Sequence, residues 1–154
     1  MLALSRLNGY AAAMTLRPFH LAIPVDDIAN ARRFYGGVMG CAEGRSDTDW
    51  VDFDFFGHQL VVHRAGSEAA GADAGSNPVD GHDVPVPHFG IVLTMEDWQA
   101  LADRLTRAGT HFAIEPTVRF RGQPGEQATM FFRDPSGNAL EFKAFADDGM
   151  LFAS

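Results

Sequence analysis

Phe19-His20-Leu21-Ala22-Ile23 returns 68 residues later as Pro87-His88-Phe89-Gly90-Ile91, each time with one histidine leading a short apolar run. The residues after each run are also similar. Asp26 or Asp27 offers a carboxylate to the free amides of a helix start, and Ile28, Ala31, Phe34 or Tyr35, and Val38 recur at helical spacing before a glycine-rich stretch ending at Gly40. Downstream, Thr94 with Asp97 three residues on resembles a capping box, and Trp98, Leu101, Leu105 and Ala108 carry a helical stripe to Gly109. Each predicted helix is followed by three predicted strands. In the first half these are a short strand over 41–45, an alternating run over 50–56 and, past the Gly57-His58 turn, a return strand over 59–63. In the second half they are 111–114, 129–133 and 139–145, with Asp134-Pro135-Ser136-Gly137-Asn138 as the turn before the last.

A duplicated β-α-β-β-β unit is the economical reading, because a repeat carries more information than any one motif within it. The fold class is α+β: two tandem βαβββ modules, with helices on the outer face. The predicted boundaries are an N-terminal extension over 1–16, a first module over 17–65, a Gly/Ala/Pro-rich linker over 66–86, a second module over 87–146 and a tail over 147–154. Residues 1–13 read as an extension outside the fold, Met14 being a natural beginning. The linker is read as a functional or flexible loop, with His82 facing solvent.

With 154 residues, 46% apolar content and 13 Phe, the chain can bury a substantial interior. A net charge of −8 and the lack of a basic stripe disfavour nucleic acid and anionic membrane surfaces as partners. No apolar run approaches the roughly 20 residues of a membrane span. Cys41 is the sole cysteine, so no intrachain disulfide forms; a reducing, cytoplasmic setting fits, and Cys41 itself reads as a structural residue.

Strand alternation locates the chemistry. On the first strand His20, Ala22 and Pro24 share one face; on the fifth, His88, Gly90 and Val92; on the last, Ala139, Glu141 and Lys143. The opposite faces carry Leu21 and Ile23, Phe89 and Ile91, Leu140 and Phe142. Three times a potential ligand stands beside small residues on the face away from the helices, which leaves room for an ion and a substrate. Taken singly, each histidine reads as a hydrogen-bonded structural residue, and Glu141 as the exposed half of an edge strand. The matched repeat turns them into a candidate metal triad, His20, His88 and Glu141. Two imidazoles and a carboxylate suit Fe(II), Mn(II), Zn(II) or Ni(II) with coordination positions left open.

The same residues carry a family resemblance. Phe19-His20-Leu21-Ala22-Ile23-Pro24-Val25 with Ala31-Arg32-Arg33-Phe34-Tyr35, His88-Phe89-Gly90-Ile91, and Phe132-Arg133-Asp134-Pro135-Ser136-Gly137-Asn138-Ala139-Leu140-Glu141-Phe142 resemble the vicinal oxygen chelate superfamily. This is the glyoxalase, bleomycin-resistance and extradiol dioxygenase group, and the likeness covers about residues 17–146. The closing Asp-Pro-x-Gly-Asn-x-x-Glu pattern is its most specific part. The resemblance implies two tandem βαβββ modules forming a curved mixed sheet around a metal cavity, with one divalent metal ion held by His20, His88 and Glu141, and a homodimer.

It also exposes a departure. Glyoxalase I enzymes often place a proton-shuttling Glu on the fourth strand, and no acid stands there in this chain. Aligning Gly57 with Gly137 sets Val61 opposite Glu141, with His63 one step on along the same face. His63 is a fourth ligand, an acid-base residue or a cavity-lining side chain. Arg119 and Arg121, in a Gly- and Pro-rich stretch, could clamp a substrate carboxylate or phosphate, with Gln123 and Glu126 facing the cavity as a lid; a solvated loop with ordinary ion pairs explains the stretch equally well. His58 and His111 read as structural.

The resulting expectation is an enzyme that binds a small oxygen-chelating substrate at one divalent ion. Fe(II) and dioxygenase-like chemistry, with Glu141 and His63 as the catalytic pair, are favoured, and Zn(II), Ni(II) and Mn(II) are alternatives. A glyoxalase I-type isomerase or lyase is the second reading, and a metal-free protein that binds an antibiotic or metabolite is the third.

Overall fold

The computed structural model describes residues 15–66, 68–71, 75–79 and 81–154. The predicted extension over 1–13 lies outside the described residues. The first module runs β1 (His20–Val25), α1 (Ile28–Ala31) with a helical continuation, β2 (Ala42–Asp47), β3 (Trp50–Phe55) and β4 (His58–Arg64). Between the modules stand β5 (Gly75–Val79) and β6 (His82–Val86). The second module runs β7 (Val92–Leu93), α2 (Met95–Arg107), β8 (Phe112–Arg119), β9 (Gln127–Arg133) and β10 (Ala139–Phe145). The sheets are ordered β1-β4-β3-β2 and β7-β10-β9-β8, so the predicted curved mixed sheet is realised as two four-stranded sheets of matching order. In each, the first strand pairs in parallel with the last, and the rest are antiparallel.

The first helical segment differs from its prediction. Asp27 caps α1 through Asn30 N at 2.7 Å, but from Arg32 to Val38 the chain widens into a π-helix. Met39 N donates to Phe34 O, five residues back, at 2.8 Å. The wider turn brings two adjacent aromatics inward, and both Phe34 and Tyr35 are buried; this resolves the ambiguity that helical spacing leaves between them. In α2, Thr94 Oγ1 accepts from Asp97 N at 3.1 Å and donates to Asp97 Oδ2 at 3.0 Å, so the acid answers the cap's hydroxyl. Trp98, Leu101 and Leu105 face the core as their spacing requires.

One continuous apolar core serves both modules. Alternation feeds it from each sheet: Val51, Phe53 and Phe55 from β3, and Leu140, Phe142 and Ala144 from β10, are buried. Phe132 stacks on Phe142 with centroids 5.9 Å apart, while Phe34 meets Phe132 and Phe55 meets Phe142 across the modules. Burying a large apolar side chain is worth about 2 kcal/mol, so the shared aromatics bind the halves together within one chain.

Among its described residues the linker carries strands that its composition does not suggest. Its two strands, β5 and β6, pair as a hairpin whose Val84 packs with Phe131 and Ala139 on the second sheet, beside Ile114. Those three residues lie on the face of that sheet opposite the main core.

Candidate metal centre

β1 and β7 hold equivalent places in their sheets, and register fixes what lies beside each. Ala22 pairs with Val61 on β4. On the second sheet Phe89 bridges to Leu140 and Val92 pairs with Lys143, which sets Gly90 beside Glu141. Val61 therefore stands where Glu141 stands, in keeping with the glycine alignment, and it is buried. The β7–β10 contact is extremely close. A Cβ added at Gly90 would overlap the Glu141 carbonyl oxygen, so only glycine lets the strands approach. Phe89 O accepts from Glu141 N at 2.8 Å and fixes the backbone from which that carboxylate projects.

His88 and Glu141 meet: Nε2 lies 3.2 Å from Oε2. His88 Nδ1 lies 2.7 Å from the carbonyl of Pro85 in β6. A carbonyl oxygen only accepts, so Nδ1 carries its proton, and in the neutral ring Nε2 is left with its lone pair turned toward a carboxylate. Two acceptors facing each other at that distance repel unless a proton or a cation lies between them. One imidazole nitrogen and one carboxylate oxygen are suitable donors for a divalent first-row ion. Glu141 Oε1 is oriented by Thr129 Oγ1, which donates to it at 2.9 Å, with Lys143 Nζ 3.6 Å away.

His20 is prepared in the same way on the other sheet. Its Nδ1 lies 2.8 Å from Gln59 Oε1, and Gln59 Nε2 donates to Asp52 Oδ2 at 3.2 Å. The carboxylate turns the amide so that its oxygen faces the ring; Nδ1 then donates and Nε2 keeps its lone pair. Asp52 is 7% exposed and has Arg45 Nε at 3.5 Å. These supports for His20 are not legible in the sequence. Alternation puts Asp52 on the sheet face away from the core, but only register shows that it holds a glutamine that holds a histidine.

Among the described residues of one chain, no group of three or more His, Cys, Asp and Glu side chains is placed to hold an ion. The structure joins His88 to Glu141 and leaves His20, exposed, on the first sheet. His63 is also exposed there, paired with Pro24 and Trp50. Arg119 lines a cavity with Glu141, Lys143 and His82. Arg121 and Gln123 are exposed in the turn that follows, and Glu126 accepts from Gly122 N at 2.8 Å, holding the turn's own backbone. None of these three lines the Glu141 cavity.

Fold and side chains together define a paired βαβββ protein that presents a histidine at the same place in each module. The chain belongs to the Glyoxalase/Bleomycin resistance protein/Dioxygenase superfamily, whose family model matches residues 17–142. It is 35% identical to a glyoxalase/bleomycin resistance protein/dioxygenase from Alicyclobacillus acidocaldarius; the match covers 88% of this chain and 96% of that one, with a TM-score of 0.67. A glyoxalase/dioxygenase from Nostoc punctiforme (17% identity, 87% and 98% covered, TM-score 0.61) shares the fold. So does a genomically encoded fosfomycin resistance protein from Listeria monocytogenes (16%, 85% and 94%, TM-score 0.58). The superfamily comprises enzymes as well as resistance proteins without catalytic activity.

Proposed function

We propose that this protein is a metal-dependent enzyme acting on a small oxygen-chelating substrate, with His20, His88 and Glu141 as ligands and with the set completed between two copies of the chain. The observation that carries this reading is the paired preparation of lone pairs. His88 Nε2 is freed by the Pro85 carbonyl and aimed at Glu141, and His20 Nε2 is freed by the Asp52–Gln59 relay. A divalent cation at this place would satisfy both His88 Nε2 and Glu141 Oε2. A bound divalent ion supplies Lewis-acid polarisation of the substrate's oxygen pair or, as Fe(II), a route for dioxygen.

The chain's own residues perform the remaining work. Thr129 holds the Glu141 carboxylate, and Gly90 sets the strand spacing behind it. Val61, apolar where a proton-shuttling glutamate would stand, favours dioxygenase-like chemistry over isomerisation, which needs a base at that place. His63, two residues on along the same face, is the ionisable group left to move a proton. If it does so, the isomerase or lyase reading gains.

A homodimer would complete the set. His20 is exposed on the sheet face that also carries His63 and the partly exposed Trp50 four residues further along, while its partners in the triad belong to the other module. A second copy can bring its first module against the His88–Glu141 pair.

The test is metal content after anaerobic purification. Wild type is expected to bind one divalent ion per chain, and His20→Ala, His88→Ala and Glu141→Ala to lose it. Wild type that binds no divalent ion under any loading condition would leave a metal-free binding protein as the reading. Oxygen uptake with catechols, set against hemithioacetal isomerisation, then separates the two enzyme classes.

A further inference from the structure

Between β4 and the second histidine the chain does more than connect. Alternation along β6 turns Val84 toward the second sheet, where it is buried with Phe131 and Ala139, beside Ile114. The next residue, Pro85, pairs with Ser76 of β5 but has no N–H to give that ladder. Its carbonyl accepts from His88 Nδ1 at 2.7 Å. Phe131 serves both contacts. It is buried, and its ring meets the His88 imidazole with centroids 5.1 Å apart and planes at 69°. The hairpin's anchor and the imidazole therefore share one aromatic ring.

What this holding does follows from the protons of a neutral imidazole, which has one to place. A ring released from Pro85 can put it on Nε2 and donate it to Glu141 Oε2, already 3.2 Å away. That hydrogen bond would engage both atoms and close the pair to a cation. With the proton drawn to Nδ1, Nε2 keeps its lone pair beside the carboxylate and the pair stays open. The carbonyl belongs to the main chain, so side chains decide only where it is held. Val84 is the one buried residue of β6 that can tie it down.

We propose that Val84 and Phe131 are positioning residues: by seating the hairpin they hold the Pro85 carbonyl against His88 Nδ1 and keep the His88–Glu141 pair open. The linker thereby takes part in the site without touching a substrate. The use of an open pair by an ion rests on the metal reading above; the state of the His88 ring does not. Val84, Phe131 and Ala139 form a small cluster apart from the main core, so loosening it spares the fold.

Long-range proton–nitrogen NMR of the histidine rings, in the full-length, metal-free protein at pH 8, tests this, because it reads which ring nitrogen carries the proton. His88→Ala and His20→Ala identify the two rings. Wild type is expected to hold the His88 proton on Nδ1. Val84→Ala and Phe131→Leu should each move His88 toward the Nε2–H form and leave His20 unchanged, while Val84→Ile should keep the wild-type spectrum. Mn(II) binding, followed by electron paramagnetic resonance on the same samples, is expected to weaken roughly tenfold or more in Val84→Ala and Phe131→Leu, the range of a lost outer contact. A wild-type His88 proton on Nε2, or a His88 ring unmoved in both loosened variants, would overturn the proposal. So would equal changes at His20 and His88, which mark general loosening, or weaker Mn(II) binding with His88 unmoved, since that loss would not pass through the ring. Wild type that binds no Mn(II) counts against the metal centre and leaves the ring result standing.

Discussion

Two histidines at equivalent places reach the same tautomer by different means, which bears on what each position tolerates. His88 depends on a main-chain carbonyl that no side-chain substitution removes, whereas His20 depends on Gln59, which in turn depends on Asp52. Gln59→Leu is therefore expected to weaken metal binding by about 10–100-fold, the usual penalty for losing such an outer contact. Thermal stability should fall only modestly, because the buried Asp52 loses the Gln59 donor but keeps Arg45. Co(II) titration of wild type and variant checks this; equal affinities would show that His20 orients without its relay. Gly90→Ala should behave in the opposite way. Its Cβ meets backbone, which cannot swing aside, so the β7–β10 ladder must part. A loss of about 3 kcal/mol in urea unfolding is expected, together with loss of metal binding. The candidate ligands His20 and His88 stand out in the sequence because a repeat marks them. Gly90 was legible only as a small neighbour, since its closeness to Glu141 is a fact of tertiary spacing.

At the scale of elements, the segment over 134–138 shows how much a turn signal conceals. Proline, glycine and asparagine forecast a reversal, and the chain does reverse there, with Asp134 Oδ1 accepting from Ser136 N and Asn138 N at 2.9 Å each. The same residues also bolt the modules together. Asn138 Nδ2 donates to Pro24 O at 2.8 Å and to Asp134 Oδ2, Ser136 Oγ donates to Asp26 Oδ1 at 2.6 Å, and Tyr35 OH donates to Asp134 Oδ2 at 2.8 Å. Arg104 of α2 adds a second clasp, donating to the Gly37 and Val38 carbonyls at the end of the π-helix. Local pattern cannot reveal partners about a hundred residues away. The hairpin was hidden for a different reason: its glycines, alanines and prolines read as a linker, although Asp80-Gly81 between Val79 and His82 is a recognised hairpin signal that could have found it.

The Tyr35–Asp134 bolt yields a pH prediction. Burial, reinforced by the adjacent Asp134 carboxylate, pushes the Tyr35 hydroxyl well above its ordinary 10.0. Burial likewise pushes the Cys41 thiol from 9.0 to about 11. Each group keeps its proton in the folded chain at a pH where the unfolded chain has released it, so stability is full below about pH 9 and falls as pH rises beyond. Urea midpoints at pH 8 and pH 11 should record the decline, and Tyr35→Phe should flatten part of it. The same variant should cost about 1–3 kcal/mol at pH 8, because it removes a buried hydrogen bond to a carboxylate. A midpoint that does not change between pH 8 and pH 11 would mean that Tyr35 and Cys41 ionise as they do in water.

For the molecule as a whole, contacts such as Phe34 with Phe132 and Tyr35 with Asp134 hold the modules of one chain in an arrangement in which, among the described residues, His20 does not join the His88–Glu141 pair. In the function proposed above the complete ligand set is drawn from two chains, and that arrangement has an arithmetic that no single-chain site shares. His20→Ala and Glu141→Ala homodimers each lack a ligand at both sites. Unfolding the two variants together and refolding them as a mixture gives heterodimers in which one site carries both lesions and the other carries neither. With random pairing about half the dimers are mixed, so roughly a quarter of the wild-type metal capacity should return, and activity with it. Size-exclusion chromatography with light scattering should show a dimer in every sample, and equilibrium dialysis against Mn(II) would count the restored sites. A mixture that binds no more metal than its parents, while exchanging subunits as judged by a tagged partner, would place the whole ligand set within one chain and require the two modules to rearrange.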